Sequence, residues 1–195
     1  REQMVRNAAS WGVDFEQAER DGLLHIICRY PEVMGLEDHL LQIKRDLRDF
    51  KPQRVAIDSM SAFERVSTPK SFREFVIALT STIKHLEVTG LFTNTTSMLA
   101  GGESITETHI STITDTIILL RYVELQGQMR RGLTVLKMRG TPHDKNIREY
   151  MIDNKGMHVL APFRGVHGIL SGAPTYTFDE ERVRLGGLFN PIPEI

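Results

Sequence analysis

The chain has one cysteine, Cys28, in 195 residues, which excludes an internal disulfide framework and suits a reducing cytoplasm. No apolar run approaches the roughly 20 residues that a membrane-spanning helix needs, and no basic-then-apolar stretch of the secretory kind opens the chain. Net charge is scarce too: 24 Lys and Arg against 25 Asp and Glu leave −1, with a pI near 6.7. That removes the global basic field behind non-specific binding to nucleic acid or anionic membrane, and leaves only local basic sites. Aromatic residues make up 7%, little material for the stacking loops of a single-strand binder. Several catalytic signatures are missing as well. None of the seven His falls in H-E-x-x-H or a comparable ligand spacing, no serine sits in G-x-S-x-G, and no G-x-x-x-x-G-K-[ST] loop occurs. Internal repeats, heptad arrays and low-complexity tracts are absent from the sequence.

An apolar fraction of 41% supports one domain with an ordinary core. The chain opens on Arg1, already in a helical pattern, so it is expected to be a fragment trimmed at its N-terminus. Apolar spacing predicts a helix in REQMVRNAASWG, a strand over Leu23 to Tyr30 with Cys28 packed in the core, and a helix over Leu36 to Phe50 between Gly35 and Pro52. A strand over Arg54 to Ile57, a helix from Pro69 to about Val88 and a strand GLFTNTT follow. This alternation argues for a mainly parallel α/β sheet with crossover helices. From Thr116 the pattern changes to antiparallel strands: TIILLRYVEL and GLTVLKMRG joined by the polar turn QGQMRR, then IREYMID. The tail from Asp179 is expected to be flexible unless docked.

Three clusters carry chemistry. The run RVAIDS, Arg54 to Ser59, is an apolar strand closing on an aspartate, which resembles a Walker B strand whose carboxylate holds Mg²⁺ directly or through water. The same pattern also opens an ordinary helix through an Asp-Ser N-cap. In KMRGTPHDKNIREY, strand alternation puts Lys137 and Arg139 on one face, and Gly140 to Pro142 turns His143, Asp144 and Lys145 toward the same edge. Such a group could clasp a polyphosphate, and it could equally be a charged, solvated edge strand. Finally, ESITETHISTITDTIILL carries seven hydroxyl residues between Ser104 and Thr116. Hydroxyls in such density serve turns and caps, with Ser111 a fitting cap; alternatively Ser111 and Thr112 accept phosphate, with Thr106 and Glu107 as polar neighbours.

RVAIDSMSA, GLFTNTT, SITETHISTITDTIILL and KMRGTPHDKNIREYMI, in this order and spacing, resemble the C-terminal ATPase and kinase domain of the KaiC family of cyanobacterial clock proteins and their relatives in other bacteria. REQMVRNAASWGVDFE and YPEVMGLEDHL match as well, so the resemblance runs from Arg1 to about Pro174. It implies a RecA-like P-loop NTPase fold, a hexameric ring with ATP and Mg²⁺ between subunits, slow autophosphorylation and autodephosphorylation, and clock or signalling partners such as KaiB-like proteins. By the resemblance, Asp58 is the Walker B aspartate, and Ser111 and Thr112 are the phosphoacceptors. Trp11 lies near the adenine, although core packing on an amphipathic helix is its plainer role. The resemblance has Arg131, Lys137, Met138, Arg139, Thr141, His143 and Lys145 lining the nucleotide from the adjoining subunit.

The departures are equally specific. In the family, the P-loop and an adjacent pair of catalytic glutamates precede the position matching Arg1, so residues 1–178 are expected to be a partial domain and 179–195 a divergent tail. Two alternatives stand beside this reading: a RecA- or RadA-like DNA-binding ATPase, which shares the fold, and a non-catalytic ring scaffold phosphorylated by another kinase. Near-zero charge and few aromatics disfavour the first.

Overall fold

In the computed structural model, the described residues are 1–95, 112–170 and 175–176. They fall into two compact units, one within Arg1–Met98 and Gly102–Thr114, the other within Asp115–Ile195. The fold is mixed α/β, with a small parallel sheet in the first unit and a four-stranded antiparallel sheet in the second.

In the first unit, α1 (Glu2–Ser10) and α2 (Phe15–Arg20) precede a 3₁₀ turn at Pro31–Val33 and the long helix α3 (Leu36–Phe50). Leu36, Leu40, Ile43 and Leu47 form one stripe of α3 at helical spacing, which explains both its span and its packing face. Gly35 caps its start, and Lys51, at φ 53°, turns the chain out of it in the left-handed conformation that ends many helices. Strand β1 (Arg54–Ile57), the short α4 (Met60–Arg65), α5 (Pro69–His85) and β2 (Thr89–Phe92) complete a strand–helix–strand unit. Thr68 caps α5 by accepting from the Ser71 amide at 3.2 Å, and Pro69 occupies the first turn, where its missing N–H costs nothing. Phe72, Phe75, Val76, Leu79 and Ile83 turn one face of α5 onto α3 and onto Met60 and Phe63 of α4. Val55, Ile57 and Phe92 of the sheet pack against the same core.

Strands β1 and β2 pair in parallel, from Arg54 opposite Thr89 to Ile57 opposite Phe92. Gly90 is required by a close approach: a Cβ there would meet the Phe92 ring at 3.0 Å and the Ile83 side chain at 3.3 Å.

In the second unit, β3 (Thr116–Leu125), β4 (Gln128–Met138), β5 (Arg148–Asp153) and β6 (Gly156–Pro162) form an antiparallel sheet in chain order. A small pair, β7 (Val166–His167) with β8 (Thr175–Tyr176), lies apart from it. The core of this unit is Val123, Leu125 and Ile169 with Ile147, Phe163 and Val166.

Several expectations need correction. Leu23 to Tyr30 is not a strand: no ladder partner pairs with it among the described residues, although its residues still alternate between half-buried Leu24 and Ile26 and exposed Leu23, His25 and Ile27. Cys28 in this segment is exposed, not packed in the core. Helix α5 stops at His85, because Leu86 caps it and Glu87 takes φ 56°. The β3–β4 turn is only Gln126–Gly127, both at positive φ (52° and 71°). That two-residue geometry matches strand twist, so the remainder of QGQMRR belongs to β4. Strand β6 carries no alternation of apolar and polar residues and was not anticipated. The division into parallel strands before Thr116 and antiparallel strands after it holds, and among the described residues the parallel part is the two-stranded β1–β2 pair.

Candidate functional site

Asp58 follows the last residue of β1, at the carboxyl end of the parallel pair, the end at which open α/β sheets bind ligands. Its carboxylate is exposed, and one oxygen accepts a hydrogen bond from the Thr93 hydroxyl, just past β2. The Asp58–Ser59 peptide is cis. Ser59 is the N-cap of α4, but its side chain makes no capping bond; the Met60 amide donates instead to the Thr93 carbonyl at 2.8 Å. The N-cap alternative read from the sequence is therefore right about position and wrong about the side chain.

A second layer fixes this corner. Buried Ser61 donates its hydroxyl to the Asn94 side-chain oxygen at 2.7 Å, and its oxygen accepts from both the Thr95 amide and the Thr95 hydroxyl at 2.7 Å. Thr93, Asn94, Thr95 and Ser61 thus tie the end of β2 to the start of α4 around Asp58. In the sequence GLFTNTT reads as a strand and as one of the family-like motifs, with no site role given to Thr93, Asn94 or Thr95. The signal was available, since three polar residues after an apolar parallel strand fall where ligands bind.

Trp11 closes α1 and is 47% exposed, so the core-packing alternative fails. Thr112 is exposed, whereas Ser111, Thr106 and Glu107 lie outside the described residues.

The basic cluster belongs to the second unit. A bulge interrupts the β3–β4 ladder: Ile117 pairs Lys137 while Ile118 pairs Val135, so Leu136 is the extra residue. Directly opposed residues share a face, so the bulge moves Lys137 to the face of Ile117 and away from the exposed apolar row of Ile118, Leu120 and Tyr122. Arg139 stands one residue beyond β4, where the pairing of Thr116 with Met138 runs on toward Asp115. Its amide donates to the Asp115 carbonyl at 2.9 Å, and its guanidinium lies 3.7 Å from the Asp115 carboxylate. Arg139 is thereby held to the residue that leads into β3, three positions after Thr112.

After Arg139, Thr141, His143 and Lys145 form the link to β5, with Thr141 and Lys145 exposed and His143 half-buried. Asp144 does not join the cationic cluster as a free carboxylate. It accepts from the Asn146 amide at 2.9 Å, the Asn146 side chain at 2.8 Å and Arg148 Nε at 2.7 Å. The backbone amide first, then Arg148, hold its carboxyl well below the ordinary range, at about 2. Arg131 is set apart: it sits opposite Tyr122, its guanidinium 5.7 Å from the ring centre, six residues and roughly 20 Å along β4 from Lys137.

The donors around Asp58 are carboxylate and hydroxyl oxygens, which suit a hard cation such as Mg²⁺. Among the described residues no group of three or more His, Cys, Asp or Glu is placed to hold a metal ion. No helix among the described residues is long and apolar enough to cross a membrane.

A family model described as "ATPase: KaiC" matches residues 1–163. "Circadian clock protein KaiC3" of Synechocystis sp. is 63% identical over 190 residues, covering 97% of this chain and 38% of that protein. "Circadian clock oscillator protein KaiC" of Thermosynechococcus vestitus is 57% identical over 195 residues, 100% of this chain and 38% of that protein. Its namesake from Synechococcus elongatus is 53% identical over 194 residues, 100% and 37%. The chain therefore spans little more than a third of these relatives. With a match this long and identities this high, the chain belongs to the KaiC family of ATPases.

Proposed function

We propose that this chain is part of a RecA-like, KaiC-type clock ATPase that phosphorylates its own Ser111 and Thr112 across the boundary between ring subunits. The observation that carries the reading is Asp58 at the carboxyl end of a parallel strand pair, fixed by Thr93, within a chain that the KaiC-type ATPase model matches over residues 1–163. The state of the sheet supports the RecA-like part. Parallel strands occur almost only in sheets covered on both faces, and a two-stranded sheet is marginal by itself. Among the described residues β2 pairs only with β1, and Leu91 is 61% exposed, as expected if further strands of a larger core, including the P-loop strand, continue beside it.

In this reading, residues 1–178 are one partial domain and 179–195 a tail. Asp58 and Thr93 would hold Mg²⁺, which neutralises phosphate charge when bound. Trp11 offers an exposed flat ring to the adenine. Lys137, Met138, Arg139, Thr141, His143 and Lys145 line the neighbour's nucleotide, Arg131 joins them only from the far end of β4, and Thr106 and Glu107 flank the acceptors. The acceptor hydroxyl oxygen attacks the γ-phosphorus of ATP, the bond from that phosphorus to the bridging oxygen breaks, ADP leaves, and the hydroxyl proton passes to a carboxylate base outside this chain. Lys137 and Arg139 neutralise charge on the transferring group, and positioning supplies much of the rate. A hexameric ring, KaiB-like partners and a cytoplasmic setting belong to the same proposal.

The test uses full-length protein and γ-labelled ATP without added kinase. Label in the peptide containing Ser111 and Thr112 supports the autokinase; label that appears only with another kinase supports a scaffold. Replacing both residues with Ala should abolish that label and leave ATP hydrolysis measurable, because water can replace the acceptor. Undiminished phosphorylation elsewhere would sink the acceptor assignment.

A further inference from the structure

In the first unit an open groove of about 820 Å³ runs between the last turns of α3 and α5. It lies at the opposite end of the sheet from Asp58: Pro52 and Val88, which line it, stand two residues and one residue before the strands that carry the chain toward Asp58 and Thr93. Its rim holds Lys44, Arg48, Lys51 and His85, and among the described residues no carboxylate lines it. Among the described residues none of these four makes an ion pair with an acidic group. The floor is apolar, with Leu47, Leu86 and Val88, and Leu86 remains exposed.

Helix dipoles account for part of this charge, since cations are favoured in the last turn of a helix, where Arg48 and His85 stand. They do not account for Lys44, nearly two turns from the end of α3, nor for an apolar floor beneath a cationic rim. In a chain of net charge −1, this concentration of one sign beside exposed apolar surface is a local feature with a direction.

We propose that this groove is a docking site for an acidic amphipathic helix of a partner protein. Lys44 and Arg48 are one helical turn apart, about 6 Å along α3, and Lys51 adds a third cation just past the end of the helix. Carboxylates four residues apart on a second helix repeat at the same interval, so a helix laid along α3 can pair several at once. The apolar side of such a helix meets exposed Leu86 and half-buried Val88, with buried Leu47 beneath them, the helix-in-groove mode. The rim sets specificity and association rate, while the floor supplies most of the affinity.

The experiment measures fluorescence anisotropy of two labelled amphipathic peptides against full-length protein. Both carry the same leucine stripe; one has glutamates and the other lysines at the ladder positions. The glutamate peptide should bind, more weakly as salt rises, and the lysine peptide should not. Lys44→Glu with Arg48→Glu should weaken the glutamate peptide by roughly tenfold or more and confer binding on the lysine peptide. Because both side chains are at the surface of α3, thermal unfolding should be little changed; Lys44→Gln with Arg48→Gln, which should lose the glutamate peptide without gaining the other, serves as the second variant. Equal binding of the glutamate peptide to wild type and to either variant would overturn the proposal. So would tighter binding of a single-stranded oligonucleotide or a phosphatidylserine vesicle that the same substitutions abolish.

Discussion

Replacing Arg139 tests the reading that this chain acts on its neighbour's nucleotide. The guanidinium lies 3.7 Å from the Asp115 carboxylate, and the two side chains are 49% and 58% exposed. An exposed pair of this kind contributes at most about 1 kcal/mol. A charge-assisted contact to a phosphate oxygen contributes about 1.5–3 kcal/mol. Moving Arg139 from Asp115 to phosphate therefore gains about 0.5–3 kcal/mol, and Arg139→Ala should weaken nucleotide-dependent assembly and phosphorylation together by roughly 2- to 150-fold. Arg139→Lys should recover only part, because a point charge cannot reproduce a planar fork. Asp115→Asn should act in the opposite sense: with the competing pair removed, nucleotide-dependent assembly should strengthen by up to about fivefold. The decisive assay mixes full-length subunits carrying Arg139→Ala and an intact P-loop with subunits that keep Arg139 but have a dead P-loop. Mixed rings should regain phosphorylation at interfaces that combine the two good halves. No recovery despite confirmed mixing would show that Arg139 serves its own subunit's site or only the fold.

Other outcomes follow from the packing and the electrostatics. Leu79 is 0% exposed in the core between α5 and α3, so Leu79→Ala should lower unfolding stability by about 2–5 kcal/mol in urea; a loss under about 1 kcal/mol would mean that this face of α5 is not packed in solution. Gly90→Ala should cost about 1–3 kcal/mol, because the new methyl meets the Phe92 ring at 3.0 Å, and a neutral result would show that the ring can swing aside. Asp144 has its folded pKa lowered, so its contribution to the β4–β5 link is present above the ordinary carboxylate range and is lost as pH falls through about 2. An NMR titration should find its midpoint near 2, and Arg148→Ala should raise it only in part, since the Asn146 amide is the larger cause; no movement would mean that the Arg148 bond is not made.

Much of the fold was legible because local rules governed it. The stripe from Leu36 to Leu47 gave α3, Pro69 after a threonine cap gave the start of α5, and alternation gave the β3–β4 hairpin. Leu23 to Tyr30 failed because its apolar pattern meets the condition for a strand, whereas a strand also needs a neighbour, and pairing is non-local. Cys28 followed the same error. The hairpin turn was placed too long because a two-residue turn at positive φ is set by strand twist, which composition does not express.

The sequence by itself determined the family, through motifs whose order and spacing chance does not produce, and with it Asp58 and the Lys137 to Lys145 segment as candidates. It determined the faces of α3 and α5 because helical periodicity is a property of the local chain. Tertiary structure alone decided which groups surround those candidates. Thr93 reaches Asp58 only because β2 lies parallel to β1, and Ser61 reaches Asn94 and Thr95 across 33 and 34 residues for the same reason. The bulge at Leu136 sets the face of Lys137, and Arg139 finds Asp115 because the two ends of a hairpin close on each other. These are contacts between segments distant in sequence, fixed by strand pairing and register, and no residue's own preference encodes them.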